Sequence, residues 1–129
     1  VSSALVAGAF FAWQALRTPP DPEPVPPPYA GLRLPAAGLD AETGKRMFVD
    51  NCAPCHDEAG TGHGPGSIGL TKMPAALSSP GFLAARSDAY LFWRISEGKA
   101  GTPMPSFRQS LSAEERWAVI RWLREEWRR

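Results

Sequence analysis

The sequence predicts an all-α domain over residues 39–129, joined to an N-terminal apolar segment (1–17) by a proline-rich linker (18–38). Three observations predict this class: three stretches with helical spacing and capping residues, glycine- and proline-rich loops between them, and no convincing strand alternation. A chain of 129 residues holds one compact domain plus an appendage, and not two full domains. Its 14 Lys/Arg and 13 Asp/Glu are mixed along the chain, which leaves no basic footprint for nucleic acid.

Val1 to Leu16 carries no ionisable side chain, and Arg17 closes the run. As a helix it would rise roughly 24 Å against a hydrocarbon core of roughly 30 Å, which makes it a short transmembrane candidate. An uncleaved single-pass anchor is the expectation. A secretory signal peptide shares the apolar core, but the one small-x-small triplet, Ala7-Gly8-Ala9, falls inside the run rather than after it. The next stretch, Thr18 to Pro28, holds seven of the 14 prolines. Proline lacks an N–H donor and fixes φ, so this stretch reads as an extended polyproline II spacer, roughly 34 Å long if straight. Such runs also serve as SH3-type ligands, but next to an anchor the spacer is the simpler reading. Tyr29 to Gly38 continues as an irregular approach.

Within the domain, Asp40 caps a first helix through Asn51, with Gly44 and Phe48 one turn apart on one face. Ser87 caps a second helix to Glu97, stopped by Gly98. Ser112 and Glu115 form a capping box for a third, running from Ala113 to about Trp127 and presenting Val119, Trp122 and Leu123 at helical spacing. The pairs Arg121/Glu125 and Glu125/Arg129 fit a solvated outer face of that helix. A short turn is expected over Pro80 to Arg86.

Where the first helix ends stands Cys52-Ala53-Pro54-Cys55-His56, the C-x-x-C-H spacing of c-type haem attachment. One helical turn presents both sulfurs to the edge of the macrocycle for thioether formation, and the adjacent imidazole reaches the iron. Other readings use the same cysteines: a redox dithiol, half of a zinc site, or a bare disulfide. The first belongs with a βαβ pattern and the second needs further thiols, while a disulfide three residues apart constrains little chain. Trp93, Trp117, Trp122, Trp127, Phe48, Phe82, Phe92 and Phe107 are also many for so small a core, as if something large and flat were enclosed.

From Leu39 to Trp127 the chain resembles the class I cytochromes c. That resemblance implies one covalent haem c on Cys52, Cys55 and His56, three main helices around it, and crossing contacts between Gly44 and Phe48 on the first helix and Val119 and Trp122 on the last. It also implies a distal methionine in a proline-rich loop ahead of the last helix. The residues available are Met47, Met73, Met104 and His63. Met47 sits in the first helix, and His63 follows His56 too closely to reach the opposite haem face. Met73 remains an alternative. Met104, in Gly-Thr-Pro-Met-Pro, is the choice, because prolines on both sides hold its thioether near one place. In the family a proline soon after the motif neighbours the carbonyl that accepts from the proximal imidazole, and Pro65 looks like it. Trp93 and Arg94 are candidates for the haem propionates, or plain surface residues.

A His56/Met104 pair saturates the iron, so the resemblance implies one-electron transfer and not catalysis. It further implies an inner-membrane protein with the haem domain on the periplasmic or outer side, and redox partners among the subunits of a membrane electron-transfer complex. The anchor-and-linker architecture is similar to the mono-haem c subunits of quinol-oxidising complexes such as alternative complex III. A free tethered shuttle is the second reading. A haem enzyme or gas sensor with an open sixth position, and an interaction module without haem, are the readings from other classes.

Overall fold

The computed structural model describes residues 20–128, together with Gly8 and Ala9. Four helices form among them: α1 (Ala41–Asn51), the single-turn α2 (Ala53–His56), α3 (Asp88–Glu97) and α4 (Ala113–Glu126). No strand occurs among the described residues. The expected anchor, residues 1–17, lies outside them apart from Gly8 and Ala9, and among the described residues no helix is long and apolar enough to cross a membrane.

Local chemistry sets the helix ends. The Asp40 carboxylate accepts from the Glu42 N–H, and the Ser87 hydroxyl from the Tyr90 N–H. Ser112 and Glu115 complete the capping box reciprocally, at 3.1 and 2.9 Å. Gly98 ends α3 with φ of 72°, a conformation that costs a residue without a Cβ little. The stretch 80–86 is a series of turns, as expected.

α1 packs across α4, and glycine makes the crossing close. A Cβ on Gly44 would stand 2.1 Å from the Ala118 carbonyl oxygen and 3.0 Å from Trp122 Cβ. One turn on, the fully buried Phe48 ring meets Trp122 at 4.8 Å and Trp127 at 5.6 Å between centroids. Ile120 and Val119 are buried beside them. Phe92 of α3 stacks on Trp117 of α4 at 4.1 Å, with the planes 12° apart. These aromatics therefore grip one another between helices, and their abundance is in large part helix packing.

The proline-rich segment does not stand off as a straight spacer. It turns back at Pro26, whose carbonyl accepts from Tyr29 N and Ala30 N, both at 2.9 Å. Residues 21–36 then lie along the domain as a strap. The Asp21 carboxylate accepts from both the N–H and the hydroxyl of Ser87, at 2.7 and 2.6 Å, at the start of α3. Glu23 pairs with Arg94 and Lys99, the Tyr29 hydroxyl donates to Glu97, and Leu34 N–H donates to Asp88. Val25, Tyr29 and Leu34 pack on the core. The α4 face carrying Arg121 is solvated as expected at Glu125, and the strap touches it at Arg121, which donates to the carbonyls of Pro35 and Ala36 while keeping its ion pair with Glu125 at 3.6 Å. Arg129 lies outside the described residues.

A second arginine locks the helices together. Arg124 of α4 pairs with Asp88 at 2.9 Å and donates to the backbone carbonyls of Leu83 and Arg86, joining α4 to the start of α3 and to the turn before it.

Candidate haem site

Cys52 closes α1, its N–H donating to Phe48 O at 2.8 Å, and at once begins α2. Within α2 the N–H groups of Cys55 and His56 both return to Cys52 O, at 3.1 and 2.8 Å, so the motif is one tight turn. Cys52 and Cys55 are free thiols, both half-buried. Burial of the Cys52 sulfur, and then the neighbouring Cys55, push its pKa up to about 12. A dithiol oxidoreductase needs the opposite, a thiol whose thiolate is favoured. The zinc reading also loses support, since no group of three or more His, Cys, Asp or Glu among the described residues could hold a metal ion.

His56 Nδ1 lies 2.9 Å from the carbonyl oxygen of Ala75. A carbonyl only accepts, so Nδ1 carries the proton and Nε2 is left as the basic nitrogen, the arrangement that orients a histidine ligand. Burial holds the imidazole pKa below its usual value of 6.5, partly opposed by the bond to Ala75, so the ring is neutral at pH 7. A neutral imidazole is the form that binds metal.

The carbonyl that orients His56 is not the one expected beside Pro65. Pro65 opens a short 3-10 turn, Pro65–Ser67, on a segment folded back along the motif's own backbone. Gly62 N–H donates to His56 O at 2.9 Å and Gly64 N–H to Cys55 O at 3.0 Å. With that segment occupied by main-chain bonds, the imidazole is met by the next loop, at Ala75 immediately after Pro74. The sequence signal for it was the second proline, in Lys72-Met73-Pro74-Ala75, but a backbone oxygen leaves no mark of its own in a sequence.

Among the other named residues, Met104 is half-buried in the loop between α3 and α4. Its N–H is accepted by Thr102 Oγ1 at 3.3 Å, and its carbonyl accepts from Lys99 N–H at 3.2 Å. Met47 packs on the core from α1, Met73 is 49% exposed, and His63 is exposed. Arg94 is engaged by Glu23 of the strap, lies over the Trp93 ring at 3.8 Å and donates to the Tyr90 hydroxyl.

The donor chemistry fits a haem c: two free thiols one turn apart, and beside them an imidazole whose ligating nitrogen is fixed by a backbone carbonyl. Comparison with known proteins agrees. Over 74 residues the chain is 32% identical to the cbb3-type cytochrome c oxidase subunit FixP of Bradyrhizobium diazoefficiens, a match covering 57% of this chain and 23% of that protein. Its fold is similar to a chain of the Kuenenia stuttgartiensis reducing HAO-like protein complex, with a TM-score of 0.60 and 25% identity, over 74% of this chain and 47% of the other. The family model for cytochrome c oxidase, cbb3-type, subunit III matches residues 39–123, which include α1, the C-x-x-C-H turn, the Met104 loop and most of α4, and the chain belongs to that family.

Proposed function

We propose that this chain is a one-electron carrier and not itself an enzyme, and that it would hold a single haem c through thioethers to Cys52 and Cys55, with His56 and Met104 as ligands to the iron. The observation that carries the reading is the fixed imidazole: His56 Nδ1 donates to Ala75 O from within the same turn that presents both thiols. Bound there, the haem supplies a reversible ferric/ferrous couple. Cys52 and Cys55 would hold it covalently through their sulfurs. His56 and Met104 would ligate its iron and leave no position open to exogenous ligands. Burial keeps the Cys52 thiol protonated at pH 7, which disfavours thiolate redox chemistry there.

The same reading places the carrier as a fixed subunit of a membrane electron-transfer complex, anchored by residues 1–17 with the haem domain on the periplasmic side. The strap supports this over a free shuttle, because a chain bonded to its own domain from Asp21 to Ala36 leaves only a short leash before the apolar segment. The partners are then the other subunits of an oxidase, the kind of assembly named for FixP. Mild-detergent extraction followed by a haem-stained native gel tests it: a haem band far heavier than this 14.0 kDa chain is expected, and a band of the chain's own mass would overturn the fixed-subunit reading.

A further inference from the structure

The loop that carries Met104 leaves α3 at Gly98 and must return its backbone to the helix before α4 begins. Its return is fastened to the last carbonyls of α3, which a helix end leaves without intrahelical donors. Phe107 N–H donates to Ile95 O at 3.0 Å, Arg108 N–H to Ser96 O at 3.1 Å, and the Ser106 hydroxyl also to Ser96 O. At the other end, a Cβ on Gly98 would stand 2.6 Å from Met104 O and 2.7 Å from the Pro105 carbonyl carbon, so the two strands of the loop run in contact.

Ser96 is thus the node of the loop, and it is wholly buried. Its hydroxyl accepts from Nη1 of Arg116, which comes from the first turns of α4. Arg116 is 8% exposed. Its Nε donates to Ser112 O at 3.4 Å, its guanidinium lies 4.8 Å from the Phe92 ring centre, and no carboxylate among the described residues lies within ion-pairing distance. Burying a cation without a counter-ion is costly, and an apolar side chain of similar volume would fill the site more cheaply. What the guanidinium adds is a rigid fork of donors. It ties the capped start of α4 to Ser96, at the point where the loop is fastened two residues beyond Met104.

We propose that Arg116 and Ser96 are positioning residues for the distal ligand, holding the loop so that the Met104 thioether stays on the iron; this rests on Met104 being that ligand. The physical consequence is a smaller entropy cost for ligation, because the loop is already fixed when the thioether binds.

The test uses the ferric holoprotein and two readouts, the far-red absorption band of thioether-ligated ferric haem and titration with imidazole, which competes with the methionine for iron. In Ser96→Ala and Arg116→Met the covalent haem and the band remain, and imidazole binds roughly tenfold more tightly, the scale of one lost hydrogen bond to a charged group. Arg124→Met is the control, since Arg124 is also partly buried on α4 but bonds to Asp88, Leu83 and Arg86 and not to the loop. It is expected to lower stability and leave imidazole affinity unchanged. Unchanged affinity in Ser96→Ala and Arg116→Met, or an equal change in Arg124→Met, overturns the proposal. Should Arg116→Met not fold, Ser96→Ala, which removes a single oxygen, decides. Absence of the band from the unsubstituted protein would instead overturn the assignment of Met104, and the positioning role with it.

Discussion

Replacing Gly44 by alanine puts the helix crossing to a quantitative test. The new methyl would stand 2.1 Å from Ala118 O and 2.6 Å from Ala118 C, whereas ordinary contact begins near 3.4 Å, so α1 and α4 must separate by roughly 1.3 Å. Both obstructing atoms belong to the backbone of a helix and cannot rotate away. Overpacking of this kind costs about 1–3 kcal/mol, and the rigidity of the obstacle argues for the upper end. Against it, alanine gains about 1 kcal/mol over glycine in helix propensity. The net expectation is a loss of about 2 kcal/mol, which for a domain of this size lowers the melting temperature by roughly 8–16 °C. The assay is thermal and denaturant unfolding of the ferric holoprotein, followed by circular dichroism, with Lys45→Ala on the exposed neighbouring position as a control for propensity. A Gly44→Ala protein as stable as the parent, or more so, would refute the close crossing.

Other consequences of the structure are equally open to measurement. Arg124→Met should destabilise by about 2 kcal/mol, because Asp88 and the carbonyls of Leu83 and Arg86 lose their shared donor; a change below about 0.5 kcal/mol in denaturant unfolding would show that the hub is not needed. Glu23 is held below its usual carboxylate pKa of 4.5, chiefly by its hydrogen bond with Arg94. Its contribution is therefore present above pH 4.5 and fades as pH falls through the lowered value, so protease cleavage within residues 21–36 should rise on acidification in the parent and already be raised at neutral pH in Glu23→Gln. Equal cleavage of the two proteins at pH 7 would exclude the ion pair as a fastening of the strap. Met104→Ala should keep the haem attached yet let imidazole bind without competition, and an unchanged ferric spectrum would refute Met104 as ligand.

What was legible in the sequence was what neighbouring residues decide among themselves. Asp40, Ser87 and the Ser112/Glu115 box mark helix starts because capping acts over two or three residues, and the observed helices begin where those residues stand. The haem motif is likewise a matter of spacing within one turn. Gly44 and Phe48 were readable as one face from their separation and as a crossing contact from the family resemblance, although the nearest backbone on α4 is Ala118. The strap was not readable: Asp21 reaches Ser87 across 66 positions and Arg121 reaches Ala36 across 85, and a proline-rich run reads as spacer whether or not it is docked. Nor was the partner of His56, because choosing between the carbonyls near Pro65 and Pro74 depends on how two loops fold over the motif. The surplus of aromatics misled in part for a similar reason, since composition does not say whether Phe48, Trp122 and Trp127 face a flat cofactor or one another.

The central claim, a carrier whose covalent haem is closed on both sides by His56 and Met104, is tested most directly by an optical redox titration of the purified holoprotein with and without carbon monoxide. The account predicts one reversible one-electron wave and a ferrous spectrum that carbon monoxide does not alter. A ferrous spectrum shifted by carbon monoxide, or no redox-active absorption at all, would contradict it.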